Sequence, residues 1–361
     1  MRDGVPWWNR SSSVVRVGAG LRPGLAPSLP EAYCAAGRLS SRARRASPRS
    51  LRQNASSTGP RPASAANPPF PWRAIMKVVD IDASTPAPAL REIGEEALRA
   101  DGAIVFRGSL GFHEYLGITN AFCTDFLPYL GGSNHGRELV DEDAQIMTAP
   151  GGVNNHAIAM HGEMYYQLIR PDLLFFQCHT PARRDGETLL ADGCRVFSEM
   201  GGALREGLAE RRVAYHRRRD ERVWSRLYRT SDREVLRSYC AQMSVDARFD
   251  DDGCLWTRFT DAASHRSRGG APAFINNVLT FGLQALRCEG QPFSWVTYDD
   301  GEAIPPELLL EAERLVAACT TPIRWQRGDV LVVDNTRMLH GRNAFDDPAR
   351  RILLRMGMAR V

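Results

Sequence analysis

His161-Gly-Glu163, with a further histidine at His340, places the strongest demand on how this 361-residue chain folds. Two imidazoles and one carboxylate are the ligand set that holds non-haem Fe(II) on one face and leaves the other open to substrate and O2. Histidine and glutamate one residue apart on a strand, or at a strand end, point to the same side. If His340 joins them, the fold must bring the last part of the chain back onto its middle. A bare His-x-Glu is a common pattern, and a lone histidine is as often a core or surface residue, so the surrounding sequence decides.

The length suits one large domain or two small ones. The formal charge of +4 is unevenly spread: residues 1–75 hold 12 Arg against Asp3 and Glu31, which leaves 34 basic and 40 acidic residues for the remainder. Basic character therefore belongs to the first segment, and the acidic balance of the rest disfavours a nucleic-acid partner. Residues 1–75 are rich in Arg, Ser, Pro, Ala and Gly with no sustained period, and are expected to be a disordered extension. Their composition is that of an organellar transit peptide, or of a stretch ahead of a true start at Met76. Residues 76–361 are then expected to form the folded domain. No apolar run reaches membrane-spanning length, so no membrane partner is expected. The eight cysteines are scattered without a Cys-x-x-Cys pair, which argues against a disulfide framework or zinc site and for a reducing, cytoplasmic setting.

Residues 87–100 space apolar side chains at helical intervals with charges between them. Residues 102–108 are a short apolar run closed by glycines and read as a strand. A second helix is expected within 110–127, and loops around short strands across 131–160. Further strands are expected at His161, over 173–180 and over 187–192, then a helix over 196–212 despite Gly201 and Gly202. Residues 213–300 are less regular and read as an insertion, with strands near 213–218, 254–260 and 272–280. The arginine run 217–219 reads as a solvated strand end. Residues 305–320 open with prolines and keep an apolar face, a helix signal. Residues 323–335 read as strand, turn, strand, and 350–361 as a closing strand. Many short strands with a few helices predict a mainly β fold with helical decoration.

Thr188 follows His161 in GETLLADG, His340 sits in DNTRMLHGR, and Arg351 and Arg355 come shortly after it. Together these resemble the taurine dioxygenase/TfdA family of Fe(II)- and 2-oxoglutarate-dependent oxygenases, over about Ala103 to Val361. The resemblance implies a double-stranded β-helix, or jelly-roll, core. It implies His161, Glu163 and His340 as iron ligands, and Thr188 and Arg351 as holders of the distal carboxylate of 2-oxoglutarate. Alternate residues share one face of a strand, so Arg355 is expected in the same pocket as Arg351. Glutamate at 163, with HGEMYY, LLFFQCHTPA and DGETLLADG around it, is similar to the clavaminate synthase-like and syringomycin-type aspartyl hydroxylase branch. It is unlike the related halogenases, where a small residue leaves room for chloride.

The resemblance implies an enzyme that uses Fe(II), 2-oxoglutarate and O2 to hydroxylate an unactivated C–H of an amino acid or amino-acid-derived molecule in natural-product metabolism. Desaturation or cyclisation by the same chemistry stays open, as does a free or carrier-protein-bound substrate. Tyr165 and Tyr166 follow the first ligands, one toward the cavity and one toward the core, with Tyr165 taken for the cavity. Asn154, Asn155, His156, Asn276 and Asn277 suit the polar ends of an amino acid, and equally suit turns. Asp334 and Asn335 are expected to order the turn that presents His340.

Overall fold

Alternation between two buried faces, rather than between core and water, builds the central sheet. The computed structural model describes residues 76–132, 137–150, 155–288 and 290–360; the expectations for residues 1–75 and Asn154 lie outside them. Eight strands form the large sheet. Its order is β1 (Lys77–Asp80), β2 (Ala103–Arg107), β16 (Val330–Asp334), β7 (Leu173–Thr180), β18 (Arg351–Ala359), β5 (Ile146–Thr148) and β4 (Leu139–Asp141), with β3 (Cys123–Phe126) also paired to β18. In β7, Leu174, Phe176 and Cys178 face the interior cluster, as do Leu331 and Val333 of β16 and Ile352, Leu354 and Met356 of β18. Leu173, Phe175, Val330, Val332 and Leu353 face the other way, onto α1 (Ala87–Asp101) and α2 (Phe112–Phe122). Burial on both faces is why these strands read as unbroken apolar runs.

Opposite lies a four-stranded antiparallel sheet in the order β15 (Thr320–Ile323), β8 (Thr188–Asp192), β17 (Met338–Arg342), β6 (Ile158–His161). Its Leu190, Ala191, Leu339 and Ile323 join the same interior cluster. The two sheets close around that interior as a double-stranded β-helix, so the jelly-roll expectation holds.

Between β8 and β15 the chain leaves this core. After α3 (Gly193–Glu199) it builds a second antiparallel sheet, β10 (Asp246–Phe249), β11 (Leu255–Ala262), β9 (Arg212–Arg219) and β14 (Ser294–Tyr298). Helices α4 (Glu221–Tyr228) and α5 (Arg233–Gln242) contribute Trp224, Leu236 and Tyr239 to a cluster of their own. Two short strands, β12 (His265–Arg266) and β13 (Pro272–Ala273), precede α6 (Val278–Arg287), and α7 (Pro306–Ala318) returns the chain to the core.

Three local expectations differ from what forms. The 272–280 strand is only Pro272–Ala273; the chain then turns at Asn276, whose Oδ1 accepts the Val278 amide at 2.8 Å, and Val278, Phe281 and Ala285 are buried at helical spacing along α6. The 196–212 helix stops at Glu199, and from Gly202 it resumes as one turn leading into a π-turn, Arg205–Ala209. Arg217 and Arg219 are buried, not solvated. Arg217 donates to the Gly131 carbonyl at 2.6 Å and lies 3.6 Å from the centre of the Tyr166 ring. No helix among the described residues is long and apolar enough to cross a membrane.

On β9, His216 is buried and stacked on Trp295 with ring centroids 5.0 Å apart, its Nε2 3.0 Å from Thr297 Oγ1. Burial, and then the charge of Arg258, pushes its pKa down to about 4. The unfolded chain, with an ordinary histidine near about 6.5, binds more protons across the window between. Stability present above that window therefore falls as pH drops through it, by up to roughly 3 kcal/mol. Urea unfolding measured at a series of pH values should show a smaller slope across this window for His216→Phe than for the parent; an unchanged slope contradicts the assignment.

Candidate metal and cosubstrate site

His340 in β17 and His161 at the end of β6 are direct cross-strand partners, which sets their rings 4.3 Å apart. Glu163 follows two residues on, and ligand atoms of the three lie within 4.8 Å of one another. The Nδ1 of His161 is 2.8 Å from the Ala159 carbonyl. A carbonyl only accepts, so Nδ1 carries the hydrogen and Nε2 keeps its lone pair for a metal. Burial, and then the neighbouring His340, pushes the His161 pKa down to about 3, so the ring is neutral, the form that ligates.

Glu163 does not stay in place on its own. Asn335, fully buried in the turn between β16 and β17, accepts the Glu163 amide at 2.8 Å and donates to the carbonyls of Glu163 at 3.1 Å and Pro171 at 2.8 Å. Its own carbonyl accepts the Tyr165 hydroxyl at 3.0 Å. Gly162, between the two ligands, donates to the Asn276 carbonyl at 2.8 Å. A Cβ there would meet the Tyr165 ring at 2.4 Å and Ile275 at 3.0 Å, so the central letter of the motif has to be glycine. Asp334 accepts the amide and hydroxyl of Thr336 and so fixes the same turn.

Arg137, which no sequence pattern singles out, is the charge partner of Glu163 at 2.9 Å. It also lies over the Tyr129 ring at 3.8 Å. Burial works against the Glu163 carboxylate, but Arg137 and His340 more than offset it and hold its pKa below the usual carboxylate range. Burial likewise opposes charge on Arg137, and the facing Glu163 holds its pKa above the ordinary value.

A cavity enclosing roughly 700 Å³, open mouth included, joins the triad to a basic end lined by Thr188, Arg342 and Arg350. Thr188 begins β8 and accepts the Trp325 indole N–H at 3.2 Å. Arg350 donates through Nε to the Gly186 carbonyl at 2.9 Å and leaves Nη1 buried without a partner. Burial pushes its pKa down to about 10, still charged near neutrality. Arg342 is engaged by the carbonyls of Pro150 and His156.

The expectation for the two later arginines is overturned. Arg351 is exposed at the start of β18. Arg355 faces outward, bonded to the Ala144 carbonyl, Thr119 Oγ1 and Asn120 Oδ1, with its guanidinium 3.3 Å from the centre of the Phe126 ring. The two do share a face, but it is the outer one. Ile352 and Leu354 point inward, and parity puts Arg350 with them.

Among the substrate-side candidates, Tyr165 is core: its ring packs on His265 and under Arg170. Tyr166 lines the cavity instead. Asn155 uses its carbonyl to accept the Phe345 amide and is not part of the lining. Asn277 does line it, at the start of α6, while Asn276 donates to the Ala263 carbonyl and accepts the Val278 amide.

Residues 65–356 match the family described as taurine catabolism dioxygenase TauD, TfdA family. A clavaminate synthase-like protein of Arabidopsis thaliana is 25% identical over 272 residues, 71% of this chain and 82% of that protein. The dapdiamide synthesis protein DdaC of Enterobacter agglomerans is 23% identical over 269 residues, 70% of this chain and 81% of that protein. The crystal structure of PvcB from Pseudomonas aeruginosa aligns with a TM-score of 0.46 at 18% identity, over 76% of this chain and 81% of that one.

Asn335→Ala removes the bonds that hold Glu163 beside the histidines. Its expected effect is a divalent-metal affinity weaker by about 10- to 100-fold. Metal titration followed by calorimetry on the folded variant checks this; parental affinity contradicts it.

Proposed function

The chain belongs to the taurine catabolism dioxygenase TauD, TfdA family, and from that premise we propose that it hydroxylates an unactivated C–H bond of an amino acid or amino-acid-derived molecule, with Fe(II), 2-oxoglutarate and O2. The observation that carries this reading is the meeting of His161, Glu163 and His340 at one end of a cavity whose other end presents Thr188 and Arg350. The likeness to a dapdiamide synthesis protein supports a role in natural-product metabolism.

The residues fit the groups. Two imidazoles and a carboxylate on one side of a cavity suit Fe(II) with open positions toward the space beyond. The partnerless Nη1 of buried Arg350 suits the distal carboxylate of 2-oxoglutarate, with the Thr188 hydroxyl as a second donor. When bound, iron and 2-oxoglutarate would supply the oxidising chemistry together with O2, one oxygen atom going to succinate as CO2 is lost and the other to the substrate C–H. The protein's own part is placement. Arg350 fixes one end of the cosubstrate, Asn335 fixes Glu163, and Tyr129, Phe176 and Leu354 wall off water so that reacting groups stay oriented.

Purified protein given Fe(II) and 2-oxoglutarate should release succinate when a panel of amino acids is added, with a product heavier by one oxygen. Absence of both metal binding and succinate overturns the reading. Charged hydrogen bonds contribute about 1.5–3 kcal/mol, so Arg350→Ala should raise the KM for 2-oxoglutarate roughly 10- to 100-fold. Arg351→Ala should leave that KM unchanged. Arg355→Ala should lower the Tm and leave the KM alone. A KM that follows Arg351 instead would restore the offset read from sequence.

A further inference from the structure

We propose that the prime substrate is a net anion, a free carboxylic acid whose carboxylate docks at Arg137, Tyr166 and the first turn of α6, and not an ester, a thioester or a cation. This rests on the iron and 2-oxoglutarate reading above.

Charge balance points there first. The charged residues of the lining are Arg137, Arg342, Arg350 and Glu163. Backbone carbonyls engage Arg342 but carry no charge, so its positive charge remains. Three guanidiniums and a ferrous ion would bring five positive charges; Glu163 and the 2-oxoglutarate dianion would bring three negative ones. The site is then left with a positive excess, which a substrate of net negative charge offsets.

The polar atoms of the far wall say where that charge goes. The Tyr166 hydroxyl, the Thr280 hydroxyl and Arg137 Nε have no hydrogen-bond partner, line the cavity and can all donate to a carboxylate. Asn277 Oδ1 is unpartnered as well; it accepts, and so suits an N–H of the substrate beside that carboxylate. Asn277 occupies the cap position of α6 but makes no side-chain cap bond. Asn277 and Thr280 stand at the positive end of a ten-residue helix, which favours an anion. Glu163, already committed to Arg137 and the histidines, is the sole carboxylate among the described lining residues. An ammonium therefore finds no ionic partner. Acids with a second carboxylate or an acylated amine fit; lysine and arginine do not. A carrier-bound aminoacyl thioester has given up the carboxylate this wall would hold.

The test uses the full protein loaded with Mn(II), a stand-in that does not turn over, and 2-oxoglutarate. Calorimetry compares aspartate, glutamate and N-acetyl amino acids with their methyl esters and N-acetylcysteamine thioesters, and with lysine and arginine. Anionic acids should bind, their esters and thioesters at least roughly tenfold more weakly. Thr280→Val should weaken binding of the acid roughly tenfold, with metal and 2-oxoglutarate affinity as in the parent; Arg137→Gln, which also removes the partner of Glu163, should weaken the acid by more than it weakens the metal, and Arg137→Lys should recover part of the loss. Esters binding as well as acids, basic amino acids binding best, or no acid binding at all overturns the proposal. So does Thr280→Val binding the acid as the parent does, or Arg137→Gln losing metal in step with the acid, which makes Arg137 a support for Glu163 alone. Succinate formed from 2-oxoglutarate by the Fe(II) protein without substrate reports on the oxygenase reading separately.

Discussion

One buried side chain, Asn335, ties together the two parts of the chain that must meet. Its amide accepts from and donates to the backbone of Glu163, 172 residues earlier, and holds Pro171 at the start of β7 as well. A fully buried primary amide with its bonds satisfied is demanding, because any shift of either segment leaves polar groups unpaired in a dry interior. The cross-strand pairing of His340 with His161 supplies the second restraint. Between them, the three candidate ligands are held by sheet and turn.

The apolar strands explain why the fold could be read and the cofactor wall could not. LLFFQC and VLVVD announce strands by composition, and they land where expected because both faces are buried. The same property erases parity. In RILLRMGMA, three consecutive apolar residues give no sign of which face is inner, so an offset counted from His340 chose Arg351 over Arg350. The pairing with β7 is also irregular between Arg351 and Ile352, at the point where parity would be counted. Tyr165 and Tyr166 present the same problem, and the contacts of Tyr165 with the Asn335 carbonyl, His265 and Arg170 decide it.

Arg137 was beyond sequence reasoning for a different reason. It lies outside the regular strands, between β3 and β4, in a stretch with no hydrophobic period. Its value comes from a partner 26 residues away in sequence, in direct contact at the cavity lining. Arg217, read as part of a solvated run, is buried for an equally non-local reason: it braces Gly131 in that same loop and lies against Tyr166. Charges set into an apolar environment by tertiary structure leave little local signature, yet they decide which ligands the cavity admits.

The central claim is that one cavity seats Fe(II) between His161, Glu163 and His340 and 2-oxoglutarate on Arg350. Crystals of the protein soaked with Fe(II) and 2-oxoglutarate without oxygen, with anomalous data at the iron edge, test it most directly. The account predicts one iron bound by two imidazole nitrogens and the Glu163 carboxylate, with the distal carboxylate of the cosubstrate on Arg350 and Thr188. Iron bound elsewhere, or a cosubstrate carboxylate on Arg351, would contradict it.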